Sequence, residues 1–247
     1  MTTEQSFLLP EWPAPSSVRA AVTTRLGGHS LSPYGDFNLA AHVGDDVDSV
    51  QQNRSLLTSA LRLPAEPVWL NQVHSSVVVD AADKSVNTIE ADASYTKGGG
   101  VCAVMTADCL PVLFCNRAGS VVAAAHAGWR GLANGILEKT VAAMNCEPQE
   151  ILAWLGPAIG PMAFEVGEEV RDAFIAQHAV AEDAFIAQGN NKWLADIYAL
   201  ARTHLQAVGV TQFYGGDYCT FTDEQRFYSY RRDGVTGRMA SLIWLDS

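Results

Sequence analysis

Basic charge is scarce in this chain: 16 lysines and arginines stand against 27 aspartates and glutamates, a net charge of −11. A surface for nucleic acid or an anionic membrane needs the opposite balance, so neither partner is expected. Long apolar runs are also missing, and no stretch approaches the roughly 20 residues of a membrane-spanning helix. The opening MTTEQSFLLPEWPAP has neither a basic start nor an extended apolar centre, so no secretion signal is expected and a soluble, cytoplasmic protein is. Cysteine is limited to five residues with no C-x-x-C pair, an odd count that argues against a disulfide framework or a zinc ribbon and for reduced thiols. The phosphate-cradling patterns G-x-x-x-x-G-K-[ST] and G-x-G-x-x-G are absent. So are repeats and low-complexity segments. With 48% apolar residues over 247 positions, the chain reads as one domain, 1–247, with a large core.

What is present centres on VCAVMTADCLPVLFCNRAGSVVAAAHAGWRG, residues 101–131. Val112 to Cys115 and Val121 to Ala125 read as strands, joined by a hairpin loop over Asn116-Arg117-Ala118-Gly119. Pairing Cys115 with Ser120 puts Cys109 opposite His126, so the two side chains are expected to meet across the hairpin. A slip of one residue would turn one of them to the other face. Pro111 marks the first strand as an edge or a bulge. Ala127, Gly128 and Gly131 keep the backbone bare around Trp129 and Arg130, as required where something approaches closely.

Along the rest of the chain, Val18 to Thr24 reads as a strand ending at Arg25 and the turn Leu26-Gly27-Gly28-His29. Asp48 reads as the N-cap of a helix from Ser49 to Leu61. Val68 to Val79 is rich in β-branched and aromatic residues and is expected to hold one long or bulged strand with His74 near its middle. An amphipathic helix follows Gly131 through Met144, with Leu132, Ile136, Leu137, Thr140 and Met144 on one side. Ile151 to Leu155 reads as a buried strand, ended by the irregular GPAIGP. Val166 to His178 and Trp193 to Val208 read as helices, the latter stopped by Gly209. Strands are expected at Gln212 to Tyr214, Phe227 to Tyr230 and Met239 to Leu245. Strands and helices mix without a βαβ alternation, which favours a layered α+β architecture.

A cysteine and a histidine brought together admit two uses, a Cys-His nucleophile pair or two ligands of the kind zinc prefers. A third ligand would decide, and His74 is the best candidate because it sits among polar Asn71, Gln72, Ser75 and Ser76 in an otherwise β-like run. His42, beside Asp45 and Asp46, reads as a solvated loop residue that could also line a cleft. His178 and His204 fall on polar helix faces and are given no role. Arginines beside glycine turns are candidate anion clamps in a chain this acidic, since a guanidinium fork matches phosphate oxygens. Arg25, Arg130, Arg231, Arg232 and Arg238 qualify.

RLGGHS (25–30), FNLA (37–40), NQVH (71–74), TADCLP (106–111), HAGWRG (126–131), GPAIGP (156–161), FEVGEEV (164–170), and SYRRDG with GRM (229–239) together resemble the YfiH family across nearly the whole chain. That family has been called laccase-like polyphenol oxidase, purine nucleoside phosphorylase and peptidoglycan editing factor. The resemblance implies mixed β-sheets packed as a sandwich flanked by helices, and a zinc site whose ligands map onto His74, Cys109 and His126. It also implies phosphorolysis of purine nucleosides (adenosine, inosine, methylthioadenosine) together with adenosine deamination. Two imidazoles and a thiolate leave tetrahedral zinc one open position, as catalytic sites do. Arg25, Arg231 or Arg232 are the chosen phosphate clamp, and Asp108, Asp92 and Gln72 the candidates for proton transfer or substrate contact. Serine 75 and the pair Met162-Ala163 depart from the family pattern, where many members have glycine and some have cysteines, without touching the ligands.

Two other readings compete. Cys109 as nucleophile with His126 as base would make an amidase editing a UDP-muramyl precursor that carries a wrong amino acid. A copper oxidase of phenols is the third, but a true multicopper centre needs on the order of ten histidines, often as H-x-H pairs. Here there are six and no such pair. Copper at the single His-Cys-His site remains open, since copper outranks zinc in intrinsic affinity.

Overall fold

In the computed structural model of the chain, residues 6–83 and 90–246 are described. Residues 1–5, which open the stretch read as lacking a secretion signal, lie outside them. Strands β1 (Phe7–Leu8), β2 (Val18–Thr23), β5 (Val101–Thr106) and β13 (Met239–Leu245) form an antiparallel sheet in the order β1-β2-β13-β5. A second sheet joins β3 (Val78–Asp80), β4 (Ala93–Thr96), β6 (Leu110–Asn116), β7 (Val122–Ala127), β8 (Ile151–Leu155) and β12 (Gln212–Gly215). Its order is β12-β8-β6-β7-β4-β3, antiparallel in the centre and parallel at both edges. A small sheet, β10 (Phe185–Gly189), β11 (Lys192–Ala195) and β9 (Glu165–Gly167), lies to one side. The helices are α1 (Val47–Leu61), α2 (Trp129–Ala133), α3 (Ile136–Met144), α4 (Glu168–Ile175), α5 (Ile197–Ala207) and α6 (Tyr230–Asp233).

The unbroken apolar runs of β5, β6 and β7 are explained by burial on both faces, which removes the usual polar alternation. On β6, Leu113 and Cys115 face the other sheet, where they meet Val22, Val104 and Ile243. Val112 and Phe114, one residue out of phase, face the helices and pack with Leu137, Phe174 and Leu205. On β5 the same alternation sends Cys102 and Val104 inward and Val101, Ala103 and Met105 outward onto Leu57 of α1. Four layers result, α1, the four-stranded sheet, the six-stranded sheet and the layer of α3, α4 and α5. The chain is α+β, with mixed sheets packed as a sandwich between helices, as expected. Small side chains on β7, Ala123, Ala125 and Ala127, let α3 approach closely; all are fully buried.

Several expected elements are revised. The hairpin register is displaced: Cys115 pairs with Val122 and Pro111 with His126, so Cys109 lies diagonal to His126 rather than opposite it. Because the displacement moves each partner by two positions, both side chains keep their face. Pro111 is not in an edge strand, since β6 lies between β7 and β8; it is the second residue of the strand, before the β8 ladder begins at Val112. The N-cap of α1 is Asp46, which accepts from Ser49 N, and not Asp48. No long strand runs from Val68 to Val79: bridges at Val68 and Asn71 precede β3, and His74 has φ 60°. The helix after Gly131 is two helices broken at Asn134-Gly135, with Leu132, Ile136, Leu137, Thr140 and Met144 buried as expected. Short strands β9 and β11 replace the starts of the two later helices, and Asp196 caps α5. Phe227 to Tyr230 is an irregular segment entering α6.

The six-stranded sheet is core to the layers on both of its sides, and we propose that residues 1–247 fold as one unit. Calorimetry at constant metal loading should then show a single transition. Two well-separated transitions would contradict this.

Candidate active site

At one end of the sandwich, the β5–β6 link, the β7–α2 link and the loop around His74 converge. Ligand atoms of His74, Cys109 and His126 all lie within 4.8 Å of one another. The Cys109 Sγ to His74 Nε2 distance is 3.7 Å, and the two imidazole rings stand 4.9 Å apart at 68°.

The arrangement depends on Asp92, which is fully buried. Its Oδ1 accepts from His126 Nδ1 at 2.8 Å, so the Nε2 edge of that ring is left for Cys109 and the cavity. The same carboxylate accepts from the backbone N–H groups of Val73, His74 and Ser75 and from the Ser75 hydroxyl. This satisfies the turn that puts His74 at φ 60°, an uncommon conformation that costs about 1–3 kcal/mol and persists where its surroundings impose it. Burial alone would raise the Asp92 carboxyl, but the hydrogen bonds from His126 and Ser75 outweigh it and hold the group below its ordinary value. Asp92 orients both histidines through these hydrogen bonds. Its backbone carbonyl also accepts from His126 N at 2.7 Å.

Gly128 explains the bare HAGWRG backbone. A Cβ there would stand 2.5 Å from His74 Cδ2 and 3.1 Å from Cys109 Sγ, inside both side chains. At Gly131 a Cβ would stand 3.0 Å from the Ser75 carbonyl, a contact tight enough that glycine lets α2 lie closest to the His74 loop. On the opposite wall, Gln72 clamps the loop to β5: its amide donates to Met105 O at 2.8 Å and accepts from Met105 N at 2.7 Å. Gln72 and Asp108 are brought to the site, but each is committed. Asp108, at φ 91°, accepts from Thr220 Oγ1 and Arg231 N, both at 2.7 Å, and so pins the 220–231 segment to the β5–β6 link.

In Cys109, burial pushes the thiol up, but the His126 charge and hydrogen bonds from His126 and His74 outweigh it and hold the group down at about 6. Burial likewise disfavours charge on His126, yet the Cys109 thiolate and Asp92 raise it to about 9. Without a metal, the pair is a thiolate beside an imidazolium. Cys102 and Cys115 behave as ordinary core thiols, raised by burial to about 12.

The three residues open into a cavity of about 530 Å³, within the range of small-molecule sites. Trp129, Ile159, Phe164 and Ile197 supply apolar walls, and Tyr230, Arg130, Arg231 and Arg238 supply polar ones. His42 lies at the wall as well, disfavoured from protonation by burial and by the charges of Arg238 and Arg54.

Two chosen phosphate clamps are not at the cavity. Arg25 binds the carbonyls of Glu224 and Gly35 and lies 5.0 Å over the Tyr228 ring. Arg232 holds the carbonyls of Thr220, Phe221 and Phe227 and pairs with Asp233, so its fork fastens the chain rather than a ligand. Arg231 does line the cavity, with one arm on Glu165 O. Arg130 and Arg238, named among the glycine-flanked arginines but not chosen, line it too. Arg130 rests on Trp129 at 4.4 Å. No carboxylate pairs with it among the described residues.

The family model for multi-copper polyphenol oxidoreductase laccase matches residues 19–246. A protein of Escherichia coli named purine nucleoside phosphorylase YfiH is 59% identical over 97% of this chain and 98% of its own length. A Pseudomonas aeruginosa protein, also named a purine nucleoside phosphorylase, is 57% identical over 97% and 98%. Among solved structures, a Neisseria meningitidis protein is 54% identical and superposes with a TM-score of 0.95 over 98% of this chain and all of its own. YlmD from Geobacillus stearothermophilus, at 30% identity, superposes with a TM-score of 0.90 over 100% and 98%.

Replacing Asp92 by asparagine should lower stability, because one amide oxygen cannot accept from every donor the carboxylate holds, and weaken metal binding at the triad about 10–100-fold, measured by competition with a chromophoric chelator. Unchanged affinity would contradict the orienting role. In metal-free protein, the thiolate fraction of Cys109 is retained as pH falls until about 6 and lost below it. Alkylation followed by mass spectrometry should therefore label Cys109 at neutral pH, slow on acidification through that value, and leave Cys102 and Cys115 unmodified.

Proposed function

The chain belongs to the YfiH family of laccase-like proteins, and we propose that it is a metal-dependent purine nucleoside phosphorylase acting on adenosine, inosine and methylthioadenosine, with adenosine deamination as a second activity. The observation that carries the metal is the donor set: two imidazoles and a thiolate of depressed pKa within 4.8 Å of one another. These donors fit zinc, and they fit copper as well. A metal held by His74, Cys109 and His126 supplies a Lewis-acidic position facing the cavity. The phosphorylase names of the relatives support nucleoside and phosphate as substrates.

Phosphorolysis joins a phosphate oxygen to C1′ and breaks the bond from C1′ to the purine nitrogen, whose electron pair leaves with the base. The chain must therefore hold a phosphate dianion beside the sugar and seat a flat, largely apolar base. Arg130, Arg231 and Arg238 are cations on one cavity in a chain of net charge −11, and they are our assignment for the anion. Trp129 and Phe164 are the flat walls for the purine. Asp108 acts by position: through Arg231 N it fixes where that arginine enters. The neutral His42 ring is a hydrogen-bonding group at the wall that adds no charge against the phosphate.

One observation favours a second reading. Cys109, His126 and Asp92 form a thiolate–imidazole–carboxylate relay, the constellation of a cysteine hydrolase. Such an enzyme would cleave an amide, as in a UDP-muramyl precursor, without metal.

Metal-loaded protein should release free base and ribose 1-phosphate from adenosine, inosine and methylthioadenosine only when phosphate is present, whereas deamination should proceed without it. Arg130→Ala or Arg231→Ala should reduce phosphorolysis about 10-fold or more, as expected for loss of a charge-assisted contact worth roughly 1.5–3 kcal/mol, and deamination much less. Base release that ignores phosphate, or activity that survives complete removal of metal, would overturn this reading, and amide cleavage blocked by alkylation would establish the other.

A further inference from the structure

A second group of metal-ligating side chains lies in the helical layer, outside the cavity. Glu138 on α3, His178 just beyond α4 and His204 on α5 offer ligand atoms that all lie within 4.8 Å of one another. His204 was read from sequence as a residue on a polar helix face. It is instead fully buried, edge-on to His178 at 4.9 Å and 87°, and edge-on to Phe174 at 5.6 Å. Its Nδ1 lies 2.6 Å from Glu138 Oε1. Two further atoms of this group, Glu138 Oε2 and His204 Nε2, are buried with no hydrogen-bond partner. Buried polar atoms are normally paired, at a cost of about 1–3 kcal/mol each when they are not.

The chemistry of those atoms narrows what they could bind. With Nδ1–H donating to Glu138, the remaining His204 nitrogen is an acceptor, and so is the free carboxylate oxygen. A carboxylate with one buried oxygen unpaired, an imidazole held against it and a second imidazole with a ligand atom within 4.8 Å make a donor set for a cation. Imidazole and carboxylate together suit zinc and its neighbours rather than magnesium or calcium, which prefer all-oxygen sets. Ligands about 2.0–2.1 Å from a tetrahedral zinc stand roughly 3.3 Å apart, so the present spacing needs only small side-chain adjustments to close on an ion. Entry is possible because Glu138 retains 24% of its side-chain exposure and His178 is only partly buried.

We propose that Glu138, His178 and His204 form a second, structural site for a zinc-class divalent cation that ties α3, the end of α4 and α5 together on the far side of the six-stranded sheet. The bound ion replaces the proton on the His204–Glu138 contact and adds His178, an exposed end of a short helix, to the buried layer. The site shares no ligand with the pocket.

The test is zinc stoichiometry, by elemental analysis after dialysis, in the parent and in His178→Ala, Glu138→Gln and Cys109→Ala. His178 and Glu138 are partly exposed, so their variants should fold, which circular dichroism would check. The parent should carry one more zinc than either helical variant, and added zinc should raise its unfolding midpoint by more than theirs. Cobalt reports the two sites separately: a thiolate ligand gives charge-transfer absorption at the pocket, which His178→Ala should retain at full strength. A single zinc kept in Cys109→Ala and lost in His178→Ala would support this site while removing the metal from the pocket. Parental stoichiometry in both helical variants would overturn the proposal, leaving His204–Glu138 as a hydrogen-bonded pin between helices.

Discussion

One buried carboxylate sets the position of almost everything at the site. Asp92 stands at the entrance to β4, beneath both histidines, and accepts from three consecutive backbone amides, a hydroxyl and an imidazole. A carboxylate so completely hydrogen-bonded stays ionised although buried, because each donor stabilises the charged form. It fixes the tautomer of His126 and the left-handed turn of His74 in one stroke. Removing it would strand several donors at once, and the loss would be felt in fold as well as in chemistry.

Around that anchor, the sandwich supplies the geometry. β5, β6 and β7 are buried on both faces, so they can move little, and the links at their ends inherit that rigidity. Cys109 and Asp108 come from the link between β5 and β6, His126 from the end of β7 and Gly128 from the residue that joins β7 to α2, so none needs a long flexible loop to reach the cavity. Asp108 and Gln72 then act as fasteners, one holding the 220–231 segment and the other the His74 loop. Polar side chains that look reactive in a linear sequence are here spent on positioning, while the triad, Arg130, Arg231 and Arg238 line the cavity.

Much of this was legible in the residues, and the failures share a cause. The apolar runs of β6 and β7 and the bare glycines of HAGWRG pointed to the end of the hairpin where the cavity opens, because double burial and close approach leave marks on composition. The hairpin register was displaced without moving the site, since a displacement of two positions preserves the face. Strands β9 and β11 were hidden by the helical patterns that follow them. The arginines could not be sorted, because whether a guanidinium meets a ligand or a carbonyl depends on segments distant in sequence: Arg25 finds Glu224 O, Arg232 finds Thr220 O. Asp92 was named as a candidate for proton transfer, but nothing local marked it as the anchor. Its partners lie 17 to 34 residues away and come together only in the folded chain.

The central claim is that His74, Cys109 and His126, held by Asp92, grip a metal at the wall of a nucleoside cavity. Anomalous diffraction at the zinc edge, from crystals grown with a purine nucleoside and phosphate, tests it most directly. The account predicts an anomalous peak at the triad, about 2.0–2.3 Å from both histidine nitrogens and the cysteine sulfur and separate from any ion in the helical layer, with the nucleoside beside Trp129 and the phosphate among Arg130, Arg231 and Arg238. Fully loaded crystals with no metal at the triad, or with nucleoside bound elsewhere, would contradict it.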